Sequence, residues 1–345
     1  MRKVLDLGEP IITSYPPIAD LFSILGTNAN IAKQYLSNNF INLTTVCWEP
    51  EDQFHMGYFS DMLLESFGQN CNLLSYKNEN RHYAMREYEK LTDYIEEMII
   101  NDYYLSLLVN SFFLPCSPRY RKEHFMHNTF IYGFDRDLQQ IMVADFYYHG
   151  KYTRETVSYE EINKGYKFFF HAVGSNKWSE LENSITKMKF LECDNNPNIE
   201  IDIGSIKMQI CDYLNSSNKA ILNAHSVLFR GKMSHGLSYY ESLLYMLNNN
   251  PEYLDKRLFY ILLDHKKAWS VRTEVLYEKY NYNSSKYHDI QNGIYEMQKS
   301  SQMLLNMVLK YNYFNSTDLF ERIMGKLVEL RDEDEKVTHN IMELL

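Results

Sequence analysis

The sequence predicts an α+β fold: an N-terminal half with an antiparallel sheet, followed by a mostly α-helical C-terminal half. Three observations carry this expectation. Apolar, β-rich runs cluster between residues 103 and 148, helical patterns flank them on both sides, and beyond residue 203 the chain is poor in Gly and Pro.

Residues 14 to 26 predict a short helix, with Pro16 and Pro17 in its first turn and Gly26 as its stop. A second helix is expected over Arg81 to Ile99, where Tyr83, Tyr88, Leu91, Tyr94, Ile95 and Met98 trace one face. Tyr103 to Leu114 reads as a strand closed by Pro115. His127 to Phe134 and Gln140 to Tyr148 read as two more, joined by the polar Asp135–Gln139 loop of hairpin length. Asp135 and Asp137 suit that turn. Ser158-Tyr-Glu-Glu161 is a capping box that opens a helix towards Phe170. Strand signals stop near residue 175, and Asp194-Asn-Asn-Pro-Asn-Ile-Glu is the best boundary or insertion loop. Helices are then expected over Ile206–Asn215, Leu237–Leu247, Tyr253–Tyr280, Tyr287–Lys310 and Ser316–Leu345. The expected domains are therefore 1–175 and 195–345.

Composition narrows the functional classes. A formal charge of −10, with only short basic spots at Arg119–Lys122 and His265–Lys267, argues against a nucleic-acid binder. Five dispersed cysteines without a CxxC fit reduced thiols better than a disulfide framework or a zinc knuckle. The first residues lack an apolar signal region, and no apolar run is long enough to span a bilayer. A cytoplasmic protein without membrane attachment is the expectation, and a homodimer stays open. The 29 Tyr suit half-buried walls and grooves, where a ring packs and its hydroxyl finds a partner.

One stretch carries chemistry. His127 heads a strand, Gly133 follows six residues later, and the returning strand brings Asp145. A strand holds an imidazole rigidly, and a carboxylate on its neighbour fixes the tautomer and supports the imidazolium, as in thiol hydrolases. On the pleat, His127, Thr129 and Ile131 share a face, and Gly133 permits a bend or bulge. His124 and His127 would point to opposite faces, so no metal site is expected, and no cofactor signal stands out.

The run Asp102–Tyr166 resembles the N-terminal domain family of butirosin biosynthesis protein H. The likeness rests on Ile100-Asn-Asp-Tyr-Tyr, Phe112-Phe-Leu-Pro115, His124-Phe-Met-His127, Phe130-Ile-Tyr-Gly-Phe-Asp135, Val143-Ala-Asp145 and the Ser158–Glu161 helix start. Tyr35-Leu-Ser-Asn-Asn-Phe-Ile-Asn-Leu43 is similar to a further segment, so the resemblance covers roughly residues 10 to 170. It implies a papain-like domain associated with nonribosomal peptide and antibiotic gene clusters. The implied activity is that of an acyltransferase or cyclase, moving an acyl group from the phosphopantetheine thioester of a carrier protein to an amine.

In the enzymes of that family a Cys starts the first helix, where the dipole and the His stabilise its thiolate. The matching helix here, Pro16–Leu25, is preceded by Thr13-Ser14-Tyr15 and has no Cys. Three readings stay open. Ser14 replaces the thiol, or serves only as a helix N-cap; Cys47 or Cys116 enters the cleft from elsewhere; or the nucleophile is lost and the domain is a scaffold or partner of a synthetase. The segment Arg257–Arg272 resembles helices behind this domain in the same proteins. Lys256, Arg257, Lys266, Lys267 and Arg272 are the expected surface for an acidic acyl or peptidyl carrier protein, set against the plainer reading of a solvated face of mixed charge.

Overall fold

A computed structural model describes residues 1–48, 53–59, 71, 73–148, 150–172, 184–191, 199–217, 232–249, 251–280 and 284–345. The chain divides into two compact units, each built from two stretches: Met1–Thr27 with Cys71–Pro197, and Asn28–Asn70 with Asn198–Leu345. The expected boundaries put residues 28–70 in the first domain, whereas these residues belong to the second unit.

The first unit is α+β. Its strands are β1 (Arg2–Val4), β4 (Leu74–Asn80), β5 (Tyr104–Asn110), β6 (Met126–Asp135), β7 (Gln140–Phe146), β8 (Tyr152–Ser158) and β9 (Ser184–Phe190), numbered along the whole chain. They form one antiparallel sheet in the order β4-β9-β5-β6-β7-β8, with β1 paired to the far half of β6. The predicted hairpin is present as β6 and β7. Asp135 turns it, its Oδ1 accepting the N–H groups of Asp137 and Leu138.

The register slips between Ile131 and Gly133, which makes the bulge that the glycine permits. A Cβ on Gly133 would lie 3.0 Å from the backbone of Lys3 and Val4, so the small residue also lets β1 approach. Strand β5 is shorter than the expected Tyr103–Leu114 run, because a 3₁₀ turn begins at Ser111. The strand signal does not end at residue 175: β9 lies within the sheet, and β10 (Lys232–His235) joins the second unit.

Helix α1 (Pro16–Leu25) packs on β7 and buries every residue from Ile18 to Leu25. The single helix expected over 81–99 is two, α3 (Arg81–Glu87) and α4 (Leu91–Ile100), separated where Tyr88 turns extended. Helix α5 (Tyr159–Ala172) opens on the expected capping box: the Ser158 N–H donates to Glu161 Oε2 over 2.7 Å, and the Glu161 N–H donates to Ser158 Oγ over 3.2 Å. Gly165 brings α5 against the end of β5, since a Cβ there would meet Val109 Cγ1 at 2.4 Å.

The second unit joins a small antiparallel sheet, β10-β2-β3, with β2 at Asn42–Trp48 and β3 at Gln53–Phe59. Its described helices are α2 (Ala29–Asn38), α6 (Ile203–Leu214), α7 (Ser238–Asn249), α8 (Lys256–Tyr280), α9 (Ser284–Phe314) and α10 (Thr317–Leu344). The last five follow the expected segments within a few residues, and Ser316 caps α10 through the Leu319 N–H. Residues 194–198 of the predicted loop lie outside the described residues. Among those residues no helix is long and apolar enough to cross a membrane.

Candidate functional site

Two adjacent strands of the first unit place an imidazole against a carboxylate. The β6–β7 ladder ends at Phe130 paired with Ala144, and Asp145 follows directly on β7. His127 stands three residues before Phe130 on β6, close enough to the end of the ladder for its ring to reach the Asp145 carboxylate. Its Nδ1 lies 2.7 Å from Asp145 Oδ2, and the other carboxylate oxygen accepts the Phe146 N–H over 2.7 Å. The Asp145 side chain is 7% exposed and that of His127 33%. An anchored carboxylate therefore holds a ring that still reaches solvent.

Burial pulls the imidazole towards its neutral form. The hydrogen bond and the charge of Asp145 outweigh that effect, and the ring titrates above its ordinary value. With Nδ1 as donor, the neutral ring carries its lone pair on Nε2, the tautomer a general base needs. Among the described residues no side chain hydrogen-bonds Nε2.

Helix α1 supplies the third side of the site. Asp20 is 5% exposed, and its Oδ1 accepts from the Tyr152 hydroxyl over 2.8 Å. The Ser23 hydroxyl is 3.4 Å from the same phenol. Burial pushes the Asp20 carboxyl well above the usual range; the Tyr152 hydrogen bond opposes that shift, and the nearby charge of Asp145 adds to it. Sequence reasoning missed Asp20 and Tyr152. A lone acid in the run Ile18–Leu25, apolar but for Ser23, was the available signal for Asp20.

The nucleophile candidates fare differently. Ser14 does not cap α1: Tyr15 holds the N-cap position, without a side-chain cap bond. The Ser14 Oγ is buried and, among the described residues, unpartnered, and it is not hydrogen-bonded to the imidazole. Cys116 lies within the influence of Asp145 and Tyr147, but burial pushes its thiol up to about 12. The charges acting on it among the described residues, Glu155 and Asp145, are both acidic, so burial and these charges disfavour a thiolate and count against Cys116 as nucleophile. Cys47 belongs to β2 of the second unit, where its backbone faces Lys232 and Phe54; its side chain lies outside the described residues.

His124 sits in the loop before β6, its ring stacked on Phe112 at 4.1 Å and its Nδ1 3.1 Å from Asn110 Nδ2. The two histidines thus serve different neighbours. Among the described residues no group of three or more potential metal ligands converges.

The expected carrier surface is corrected in part. Lys266 and Arg272 are fully buried. Lys266 Nζ pairs with Asp334 and lies 3.0 Å from His265 Nδ1, while the Tyr240 hydroxyl donates to the same Asp334 oxygen over 2.8 Å. Tyr213 donates there too, so one carboxylate on α10 gathers groups from α6, α7 and α8. Arg272 Nε donates to Ser37 O over 3.0 Å and its Nη2 to Leu36 O over 3.1 Å, with Asn39 O as a further acceptor. It closes the end of α2, where orphan carbonyls welcome a cation. Lys267 and Arg257 are exposed and paired locally with Asp264 and Asp255, and Lys256 is half-buried.

No protein-family model matches the chain, and no curated protein matches it.

Proposed function

We propose that the first unit is a papain-like domain that handles acyl thioesters on a carrier protein, in the manner implied by its resemblance to the butirosin-type proteins. The observation that carries the reading is the 2.7 Å contact between His127 Nδ1 and Asp145 Oδ2, with the ring partly open to solvent. In the simplest mechanism an amine attacks the thioester carbonyl while Nε2 of His127 takes its proton. The tetrahedral adduct then expels the carrier thiolate, which recovers that proton as a thiol, leaving an amide. Asp145 supports the transient imidazolium. No enzyme nucleophile is required; Ser14 and Cys47 stay open as candidates for a covalent variant.

The test is incubation with an acylated carrier protein and candidate amines. Positioned acid–base catalysis contributes roughly 10²–10⁴-fold, so His127→Ala should lose about that much. A wild-type protein without turnover, or a His127→Ala protein as active as wild type, defeats the proposal.

A second reading, a catalytically inactive partner of a synthetase, draws support from the start of α1, which lacks a Cys, and from the suppressed acidity of Cys116. Pull-down of synthetase domains by wild type and His127→Ala alike, without turnover, supports it; turnover without a partner removes it.

A further inference from the structure

The chain from Ser111 to Phe125 leaves the sheet at the end of β5 and returns at the start of β6, where Asn110 pairs with Met126. The fully buried Asn110 pins both ends: its Oδ1 accepts from the Phe112 N–H over 3.1 Å and from the Phe125 N–H over 3.2 Å. Ser111 N–H donates to Phe125 O over 2.8 Å, and Arg121 N–H to Phe112 O over 3.0 Å. With Leu114, Cys116 and Ser117 buried beneath it, this is a compact Ω-loop filled by its own side chains.

Its outer turn carries Arg119, Arg121 and Lys122 against one acid, Glu123. Arg119 pairs with Glu123, whereas among the described residues neither Arg121 nor Lys122 is in an ion pair, and both are exposed. The Arg119 guanidinium sits 3.9 Å over the Phe125 ring, which stacks on His127 at 5.8 Å. A rigid cationic turn therefore stands beside the imidazole, in a chain whose net charge is −10. An acidic macromolecule is repelled by such a chain as a whole, so a local positive patch decides where and in what orientation it lands.

We propose that the 111–125 loop is the docking element for an acidic acyl-carrier protein, with Arg119, Arg121 and Lys122 receiving its carboxylates and delivering the tethered acyl group to His127. This rests on the acyl-thioester reading above and moves the carrier surface away from Lys266 and Arg272. A neutral small thioester would gain nothing from the loop.

The experiment measures binding of a holo acyl carrier protein of acidic pI to the full chain by calorimetry, at low and high salt. Arg121→Glu with Lys122→Glu should weaken binding about tenfold or more, and wild-type affinity should fall with added salt. Lys310→Glu with Lys336→Glu, the same charge change at two exposed positions of the second unit, should leave affinity near wild type. Equal weakening by both pairs, carrier binding that ignores salt, absence of binding, or preference of the loop for anionic vesicles overturns the proposal. His127→Ala separates the two ideas: the carrier should still bind that variant, so lost turnover with retained docking concerns the chemistry and not the loop.

Discussion

His127 and Asp145 form an unequal pair: the carboxylate is held almost out of solvent by its own strand, while the imidazole it grips keeps about a third of its surface open, at 33% exposure. The ordinary imidazole value is about 6.5, and the Asp145 bond raises the folded value above it. NMR titration of the His127 ring should show a midpoint above that value. Asp145→Asn should lower it, since burial and the Arg119 charge are then opposed only by the backbone bond at Asn128. The sign of the stability effect follows: the pair stabilises the first unit most at pH below the unfolded value, and the gain fades as pH climbs through the folded one.

His265 should behave in the opposite sense. Burial and the neighbouring Lys266 cation hold this imidazole well below its ordinary value, against a bond from its Nε2 to Ile41 O of 2.7 Å. Its contribution is present above the unfolded value of about 6.5 and is lost as pH falls from there towards the folded one. Urea unfolding of the second unit between pH 7.5 and 5 should show falling stability. His265→Gln should start lower and have a flatter slope.

The Lys266–Asp334 pair predicts a non-additive cost. Lys266→Met leaves a fully buried carboxylate without its cation and should cost about 3–5 kcal/mol in chemical denaturation. Adding Asp334→Asn keeps an acceptor for Tyr213 and Tyr240 while removing the charge, so the double variant should recover part of the loss. Additive losses would mean that the pair is not the source of the effect.

Cys116 should be inert in the folded chain. With its thiol pushed up to about 12, alkylation by iodoacetamide at pH 7 should run roughly a thousandfold slower than in the unfolded chain. Rapid modification of the native protein at this residue would contradict the burial described above.

What the sequence made legible follows from range. The β6–β7 hairpin, the bulge at Gly133 and the capping box of α5 are written in residues that touch near neighbours. Strand β9 was hidden because its buried positions, Ile185 and Met188, are three apart, which imitates a helix more than a pleat. The break at Tyr88 carries no Gly or Pro. Lys266 and Arg272 read as solvated because their partners lie far along the chain, Asp334 being 68 residues away and Asn39 233. The His–Asp pair was legible for the same reason that the buried cations were not: a hairpin keeps its partners 18 residues apart.

The interleaving of the two units has a consequence for how the polypeptide matures. Residues 28–70 leave the ribosome early, yet the helices packed on α2, which buries Ile31, Tyr35 and Leu36, are encoded after residue 198. That greasy segment must wait, unsheltered, while the intervening unit is made, and any fragment ending near residue 175 would keep it bare for good. Trimming the gene at the apparent domain boundary should therefore yield a sticky product, whereas a chain that runs on through residue 345 supplies its own cover.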